Sequence, residues 1–144
     1  GDLIIGINHS SSLLVERIPP SFRRVHLHTV AEAVESAAQK TQLFAAGNHA
    51  VDMETAAITS YFREHHIPTL SLRIISDSAS EDLPVPFNIS WNLSIQRPRH
   101  VVLALWLATH PTHLLPFLRF VRRMPTLQSS LADALLHTMK VLAD

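Results

Sequence analysis

The stretch "HAVDMETAAITSYFREHHIPTLSLRIIS", His49 to Ser76, carries the pattern that decides the fold. It opens with a short apolar segment, "HAVDM", that is typical of a buried strand. The segment "ETAAITSYFREHH" then has an apolar stripe at helical spacing. Pro68 separates it from "TLSLRIIS", which is rich in Leu and Ile and strand-like. The stretch therefore predicts a strand, a helix and a second strand.

The residues before this stretch extend the same alternation. Leu3 to Ile7 and about Val25 to His28 are predicted strands, and Thr29 with Glu32 has the capping-box pattern that opens a helix. Short connections and apolar strands over residues 24–76 favour a parallel sheet with covering helices, which is an α/β fold.

Beyond a loop with two prolines the chain is predicted to be helical. Candidate helices are Arg97–Thr109, Leu114–Arg123 and Thr126–Leu142. We therefore divide the chain into an α/β portion, 1–96, and a helical tail that packs on it, 97–144. The chain begins at "GDLIIG", which is already strand-like and lacks an initiator Met, so we expect the α/β portion to be the C-terminal part of a longer domain.

Composition excludes several classes of function for this chain. The chain has 144 residues, of which 47% are apolar and 17% charged, and this suits one globular domain. Its 12 basic and 12 acidic residues leave no overall footprint for nucleic acid. Cysteine is absent, which excludes disulfides, thiolate nucleophiles and Cys-based zinc sites and leaves the cytoplasm as the expected compartment.

Two acidic features follow predicted strands. Asp52, Met53 and Glu54 end the first strand of the opening stretch, and Ser76 and Asp77 end the second. Ligands bind at the carboxyl ends of strands in open parallel sheets, so the two features predict one crevice if the strands are neighbours. Structural interpretations stay open, because an acidic residue favours a helix N-terminus and Ser-Asp is common turn chemistry.

The paired segments "AVDMETAAI" and "LRIISDSASEDLP" resemble the nucleoside phosphorylase and nucleosidase family. This family includes purine nucleoside phosphorylases and methylthioadenosine/adenosylhomocysteine nucleosidases. The segment "HTVAEAVESAAQKTQLFAAGNHAVDMETAA", the "SDSASEDLP" loop and the "RP" start of the tail are most similar to the branch called hopanoid-associated phosphorylases. The resemblance implies a three-layer phosphorylase/hydrolase-like sheet with covering helices, incomplete at its N-terminus because the family's first strands and Gly-rich phosphate loop have no counterpart here.

The resemblance also implies roles for five residues. Asp77 would be the catalytic residue, donating a proton to purine N7 as the glycosidic bond breaks. Met53 would pack under the ribose, and Glu54 would accept hydrogen bonds from the ribose hydroxyls. Ser76 and Arg73 would support Asp77 from the same strand end.

The implied chemistry is physically consistent. Cleavage of a C–N glycosidic bond leaves positive charge on the sugar and negative charge on the purine, so an acid at the ring and a carboxylate at the sugar both lower the barrier. The residues near Val30 to Val34 would line the base pocket. The resemblance implies no cofactor, and phosphate or water would be the second substrate.

The leading hypothesis is therefore cleavage of the N-glycosidic bond of a purine nucleoside, releasing adenine from an adenosyl compound of an adenosyl-hopane-like kind. This hypothesis makes the chain an enzyme once the missing N-terminal part completes it. The alternative is a non-catalytic fragment or a nucleoside-binding module that lacks the phosphate-binding half.

Histidines and the tail raise two further questions. His110 and His113 are spaced for one helical turn, but Pro111 lies between them and no third ligand follows, so we predict no metal site. The tail flanks apolar stretches with arginines, and two interpretations stay open. Packing on the sheet or in the interface of a homo-oligomer is favoured, and peripheral membrane contact through 97–123 is the alternative.

Overall fold

The computed structural model describes residues 1–92 and 94–143 and confirms the α/β class. The strands, in chain order, are β1 Leu3–Gly6, β2 Arg23–Val25, β3 Leu27–Thr29, β4 Ala50–Asp52, β5 Leu72–Ile74, β6 Trp91–Asn92 and β7 Arg97–Pro98. The α-helices are α1 Ser12–Arg17, α2 Ala37–Ala45, α3 Thr55–Glu64, α4 Phe87–Ser90, α5 His100–Thr109 and α6 Leu114–Ala143. Short 3-10 turns occupy Ile7–His9 and Pro111–His113.

Strand β1 is the centre of the sheet structure. It pairs in parallel with β2 and antiparallel with β5, while β3 pairs in parallel with β4. Only His26 separates β2 from β3, so the chain passes directly from the first sheet to the second. The first sheet has the order β5, β1, β2, and the second consists of β3 and β4. Strands β6 and β7 form a small antiparallel pair. The three-layer arrangement stays a prediction.

The sheet differs from the predicted one in two respects. It is mixed rather than parallel, because β5 pairs with β1 in the antiparallel direction instead of following β4. The single strand predicted at 25–28 is two strands, since the chain passes from one sheet to the next at His26. An apolar pattern shows that a strand is buried, but it does not specify the strand's partner or direction.

The capping box predicted at Thr29 and Glu32 is wrong. Thr29 ends β3, and its hydroxyl donates to Asp52 across the sheet. Helix α2 begins later, where Ser36 accepts a hydrogen bond from the backbone N–H of Gln39 and the Gln39 side chain accepts from the Ser36 backbone. Both segments fit the capping pattern, and strand pairing excludes the first of them.

The tail helices also differ from the prediction. The two helices predicted on either side of Pro125 are one helix, α6, with the proline inside it. A proline inside a helix costs about 3 kcal/mol because a backbone hydrogen bond is lost. Beyond the proline, α6 buries Leu127, Ala134 and Thr138 against the rest of the protein, which offsets this cost.

The core has two parts, one on each face of β1. Ile5 packs with Ala134 of α6 in a cluster of Ile5, Ile18, Phe22, Leu72 and Ala134. Ile4 faces the other way, into a cluster with Val25, Leu27 and Ala50. Adjacent residues of a strand point to opposite faces, so β1 separates the two clusters.

The length and hydropathy of the helices decide whether one of them could cross a membrane. Among residues 1–92 and 94–143, no single helix is both long and apolar enough to cross a bilayer. Helices α5 and α6 together reach those limits, but they are bent by 110° where they meet.

Candidate functional site

The two acidic segments predicted to share a crevice do meet at one cavity. Met53, Ser76 and Asp77 line this cavity, which has a volume of about 660 Å³. The prediction assumed neighbouring parallel strands, whereas β4 and β5 are not paired with each other. The two segments therefore meet although their strands belong to different sheets.

The Asp77 carboxylate is held at both oxygens. The Ser76 hydroxyl donates to Oδ1 at 2.5 Å, and the Lys40 ammonium donates to Oδ2 at 2.5 Å. The Asp77 side chain is 20% exposed and the Lys40 side chain 10%. A carboxylate at this depth that is paired and hydrogen-bonded has a single fixed orientation toward the cavity.

Lys40 was not among the residues predicted for the site. It lies on α2, 37 residues before Asp77 in the sequence, so no short motif contains both residues. One signal in the sequence could have indicated it. Lys40 is the only charged residue between Ala37 and Asn48, in a helix otherwise made of small, apolar and amide side chains.

The segment after Asp77 is tied to two helices. Lys40 also donates to the Glu81 carbonyl oxygen at 2.5 Å, and Arg123 of α6 donates to the Glu81 carboxylate at 3.1 and 3.3 Å. The Arg123 hydrogen bond, followed by that from the Ser78 backbone N–H, lowers the pKa of Glu81 below the usual 4.5. Helices α2 and α6 therefore hold the 77–81 segment from opposite sides.

Asp52 has a structural position at the end of β4. Its carboxylate accepts hydrogen bonds from the Thr29 hydroxyl at 2.8 Å and from the backbone N–H of Thr55 at 3.2 Å. The Thr55 hydroxyl also donates to it. Asp52 thus satisfies the first turn of α3, as a capping acid does.

Arg73 lies with Asp52 rather than with Asp77. Its guanidinium donates to Asp52 Oδ2 at 3.0 Å and to the Thr55 hydroxyl at 2.5 Å. It lines a second cavity, of about 330 Å³, and not the one that contains Asp77. The pair joins β5 of one sheet to the end of β4 in the other.

Glu54 lies at the rim of the site. Its side chain is exposed and is not part of the cavity lining, although the preceding Met53 is. In the described part of the chain it makes no capping hydrogen bond to α3, because Asp52 occupies that place. The helix-capping interpretation of the acidic pair therefore applies to Asp52, and Glu54 is oriented toward solvent.

The rest of the cavity wall is mainly apolar. It is formed by the segment after β3, by α2, by the loop before α4 and by α6: Val30, Ala33, Val34, Leu43, Phe44, Leu83, Val85, Phe117, Phe120 and Val121. Of the residues predicted near the base, Val30 to Val34, the lining contains Val30, Ala33 and Val34. Such a wall suits the faces of a heterocycle or another apolar group.

The histidines of the tail pack against an aromatic ring. His110 stacks on Trp106, with ring centroids 4.3 Å apart, and His113 lies edge-on to Trp106 and donates to the Pro84 carbonyl oxygen at 2.8 Å. Within residues 1–92 and 94–143, no three His, Cys, Asp or Glu side chains are grouped to hold a metal ion.

The cavity therefore combines an apolar wall with polar groups, which include Asp77 and Lys40 and also Asp2, Arg23, Asn48, His49 and Asp52. Among these groups, the Asp77 carboxylate is oriented by the donors Ser76 and Lys40. The apolar wall can bind a ring or chain that has little charge. An acid at the edge of an apolar pocket is suited to protonating a leaving group.

Comparison with known protein families gives one match. A family model described as the phosphorylase superfamily matches residues 11–105. Comparisons with curated proteins and with solved structures gave no significant match. The matched range contains Lys40, Met53 and Asp77 and spans more than half of the 144 residues, so the chain belongs to the phosphorylase superfamily.

Proposed function

We propose that the protein cleaves the N-glycosidic bond of a purine nucleoside, with Asp77 as the proton donor to the leaving base. The observation that carries the proposal is the position of Asp77, in the lining of a mainly apolar cavity of about 660 Å³ in a member of this superfamily. Cavities of roughly 300–1,000 Å³ are those in which proteins bind small molecules.

The proposed step moves one proton. Lys40 and Ser76 donate to the two Asp77 oxygens, so Asp77 first takes up this proton from solvent. As the bond between the sugar and the purine breaks, its electron pair stays on the purine, and the proton goes from Asp77 to N7 of the ring. Asp77 becomes a carboxylate again. Phosphate adds to the sugar through one of its oxygens, or water adds and releases a proton to solvent. Protonation of a leaving group in this way contributes about 10²–10⁴ in rate.

The positions of the other predicted residues support a proposed pose of the nucleoside. Met53 on the cavity wall would contact the ribose, and Glu54 at the rim would accept hydrogen bonds from its hydroxyls. Ser76 would orient Asp77 through the hydrogen bond to Oδ1. Arg73 would act at a distance, by fixing the end of β4 through Asp52.

The apolar wall supports a finer proposal for the substrate. Phe117, Phe120 and Val121 of α6 form part of the wall of the cavity that Asp77 lines. A nucleoside with a large apolar substituent on its sugar, such as an adenosyl-hopane-like compound, would place that substituent against them. The proposed small-molecule partner is this nucleoside. The sequence also favours further copies of the chain as partners, and the proposed compartment is the cytoplasm.

The test is adenine release from adenosine and from adenosine with an apolar 5′ substituent. We expect Asp77→Asn to lose about 10²–10⁴ in kcat. Asp133→Asn is the matched control, because Asp133 is exposed on α6. Equal rates for the wild-type protein and Asp77→Asn would remove Asp77 from the mechanism.

Calorimetry with adenine and adenosine separates the enzyme from the alternative. A nucleoside-binding module would bind these ligands and release no adenine. An inert fragment would neither bind nor release. Thermal unfolding of each variant shows whether a loss of activity reflects a loss of folded protein.

A further inference from the structure

We propose that Lys40 is the positioning residue of the site, which holds the Asp77 carboxyl group in place and compensates its charge once the proton has been given up. The inference rests on the proposed function for the proton transfer itself. Its structural part, the hold of Lys40 on Asp77, stands independently of turnover and is tested separately.

The first argument is that each N–H donor of the Lys40 ammonium faces an acceptor. A lysine ammonium has three N–H donors. Here they face Asp77 Oδ2 at 2.5 Å, the Glu81 carbonyl oxygen at 2.5 Å and the Ser78 carbonyl oxygen at 3.4 Å. All three acceptors belong to the segment that begins with Asp77, so Lys40 is committed to this segment.

The second argument is the depth of the pair. The Lys40 side chain is only 10% exposed, and lysine is rarely buried because its charge is costly to remove from water. The attraction between the two charges of an ion pair becomes stronger as water is excluded. A cation at this depth therefore affects the neighbouring carboxylate more than a surface lysine would.

The third argument is the fixed position of the helix that carries Lys40. The first residues of α2 and the loop after Asp77 are joined by further hydrogen bonds: Ala37 N–H to Asp82 Oδ1 at 2.7 Å, and Leu83 N–H to the Glu35 carbonyl oxygen at 2.8 Å. The N–H of Phe87 also donates to the Glu35 carboxylate at 2.7 Å. Lys40 is thus held in register with Asp77 by its own helix.

These positions give Lys40 a defined part in the proton transfer. When the Asp77 O–H bond breaks and the purine N–H bond forms, the charge that remains on Asp77 lies 2.5 Å from the Lys40 ammonium. The ammonium keeps its proton and stabilises the new carboxylate. Asp77 takes a proton back from solvent after the products leave.

The kinetic test compares Lys40→Ala and Lys40→Arg with Lys140→Ala. Lys140 is the second lysine of the chain and is exposed on α6, so it is a matched control. Loss of a charge-assisted hydrogen bond should lower kcat of Lys40→Ala by about 10- to 100-fold. KM should change much less, because the N–H donors of Lys40 are used on the 77–81 segment, and Lys40→Arg should keep part of the activity.

Chemical rescue distinguishes this role from a merely structural one. Ethylammonium replaces the lost ammonium and its N–H donors, so it should raise kcat of Lys40→Ala, whereas tetramethylammonium has the charge without the donors and should not. A wild-type rate in Lys40→Ala, an equal loss in Lys140→Ala, or an equal effect of both salts would overturn the proposal.

A spectroscopic test does not depend on turnover. The ¹⁵N-labelled lysine ammonium of Lys40 should give a slowly exchanging signal that is lost in Asp77→Asn and kept in Asp133→Asn. Absence of that signal in the wild-type protein would show that Lys40 does not hold Asp77. If the signal is present and no nucleoside is cleaved, the positioning role is supported and the proposed function fails.

Discussion

Asp52 and Glu54 are two positions apart in the sequence and lie in opposite surroundings. Asp52 accepts hydrogen bonds from Thr29 and Thr55 and pairs with Arg73, while Glu54 is exposed at the rim of the cavity. The difference follows from their places in the chain. Asp52 is the last residue of β4, and Glu54 immediately precedes the first turn of α3.

At this scale we predict a difference in stability. Asp52→Ala leaves Arg73 and the first turn of α3 without their acceptor, so the free energy of unfolding should fall by about 1–3 kcal/mol. Glu54→Gln should change it by less than about 0.5 kcal/mol, because an exposed side chain has no such partners. Urea denaturation of both variants measures the two values. Equal losses would contradict the structural role given to Asp52.

Two elements far apart in the sequence, α2 and α6, share the task of holding the 77–81 segment. Lys40 reaches it from α2, and Arg123 reaches Glu81 from α6. This arrangement connects the tail to the site, since α6 also contributes to the cavity wall. A short segment without regular structure is thereby fixed by helices on both sides.

The Glu81–Arg123 pair should make stability depend on pH. The pKa of Glu81 is lowered in the folded protein. The stability that the pair contributes is therefore present above the usual pKa of 4.5 and is lost as pH falls through the lowered pKa. The pair is 39% and 44% exposed, which limits this contribution to about 1 kcal/mol or less.

Thermal unfolding of the wild-type protein and Glu81→Gln between neutral pH and acid measures this effect. The difference in Tm should be largest at neutral pH, shrink in acid and shrink again at high salt, since salt screens exposed charges. A difference that grows as pH falls would contradict the assignment.

For the whole molecule, the tail is part of the α/β core rather than an appendage. Ala134 of α6 is 7% exposed and packs in the same cluster as Ile5 and Leu72. The first and last elements of the chain therefore complete one core. The sequence predicts an α/β portion, 1–96, and a helical tail, 97–144, that packs on it, and the position of Ala134 agrees with that packing.

We predict that Ala134→Glu lowers the free energy of unfolding by at least about 3 kcal/mol, because it buries an unpaired charge in the core. Leu136→Glu is the control, since Leu136 lies two residues away and is 59% exposed. It should change stability by less than about 0.5 kcal/mol. Circular dichroism during denaturation compares the two, and equal effects would show that α6 does not complete the core.

Local pattern was sufficient for much of the fold. The strands that end at Asp52 and Ile74, the helix between them and the helical tail follow from apolar spacing and proline positions. These signals lie within a few residues of each other, so they can be read along the chain. Thr29 shows the limit, because its capping pattern is correct locally and is overruled by pairing with β4.

The sequence by itself determined the α/β class and indicated Asp77 and Met53, which do line one cavity. Only the tertiary structure decided that β5 runs antiparallel, that Arg73 pairs with Asp52, and that Lys40 holds Asp77. The reason is distance along the chain. Strand direction and a charge partner 37 residues away depend on which strands pair and where α2 packs, and neither leaves a local pattern.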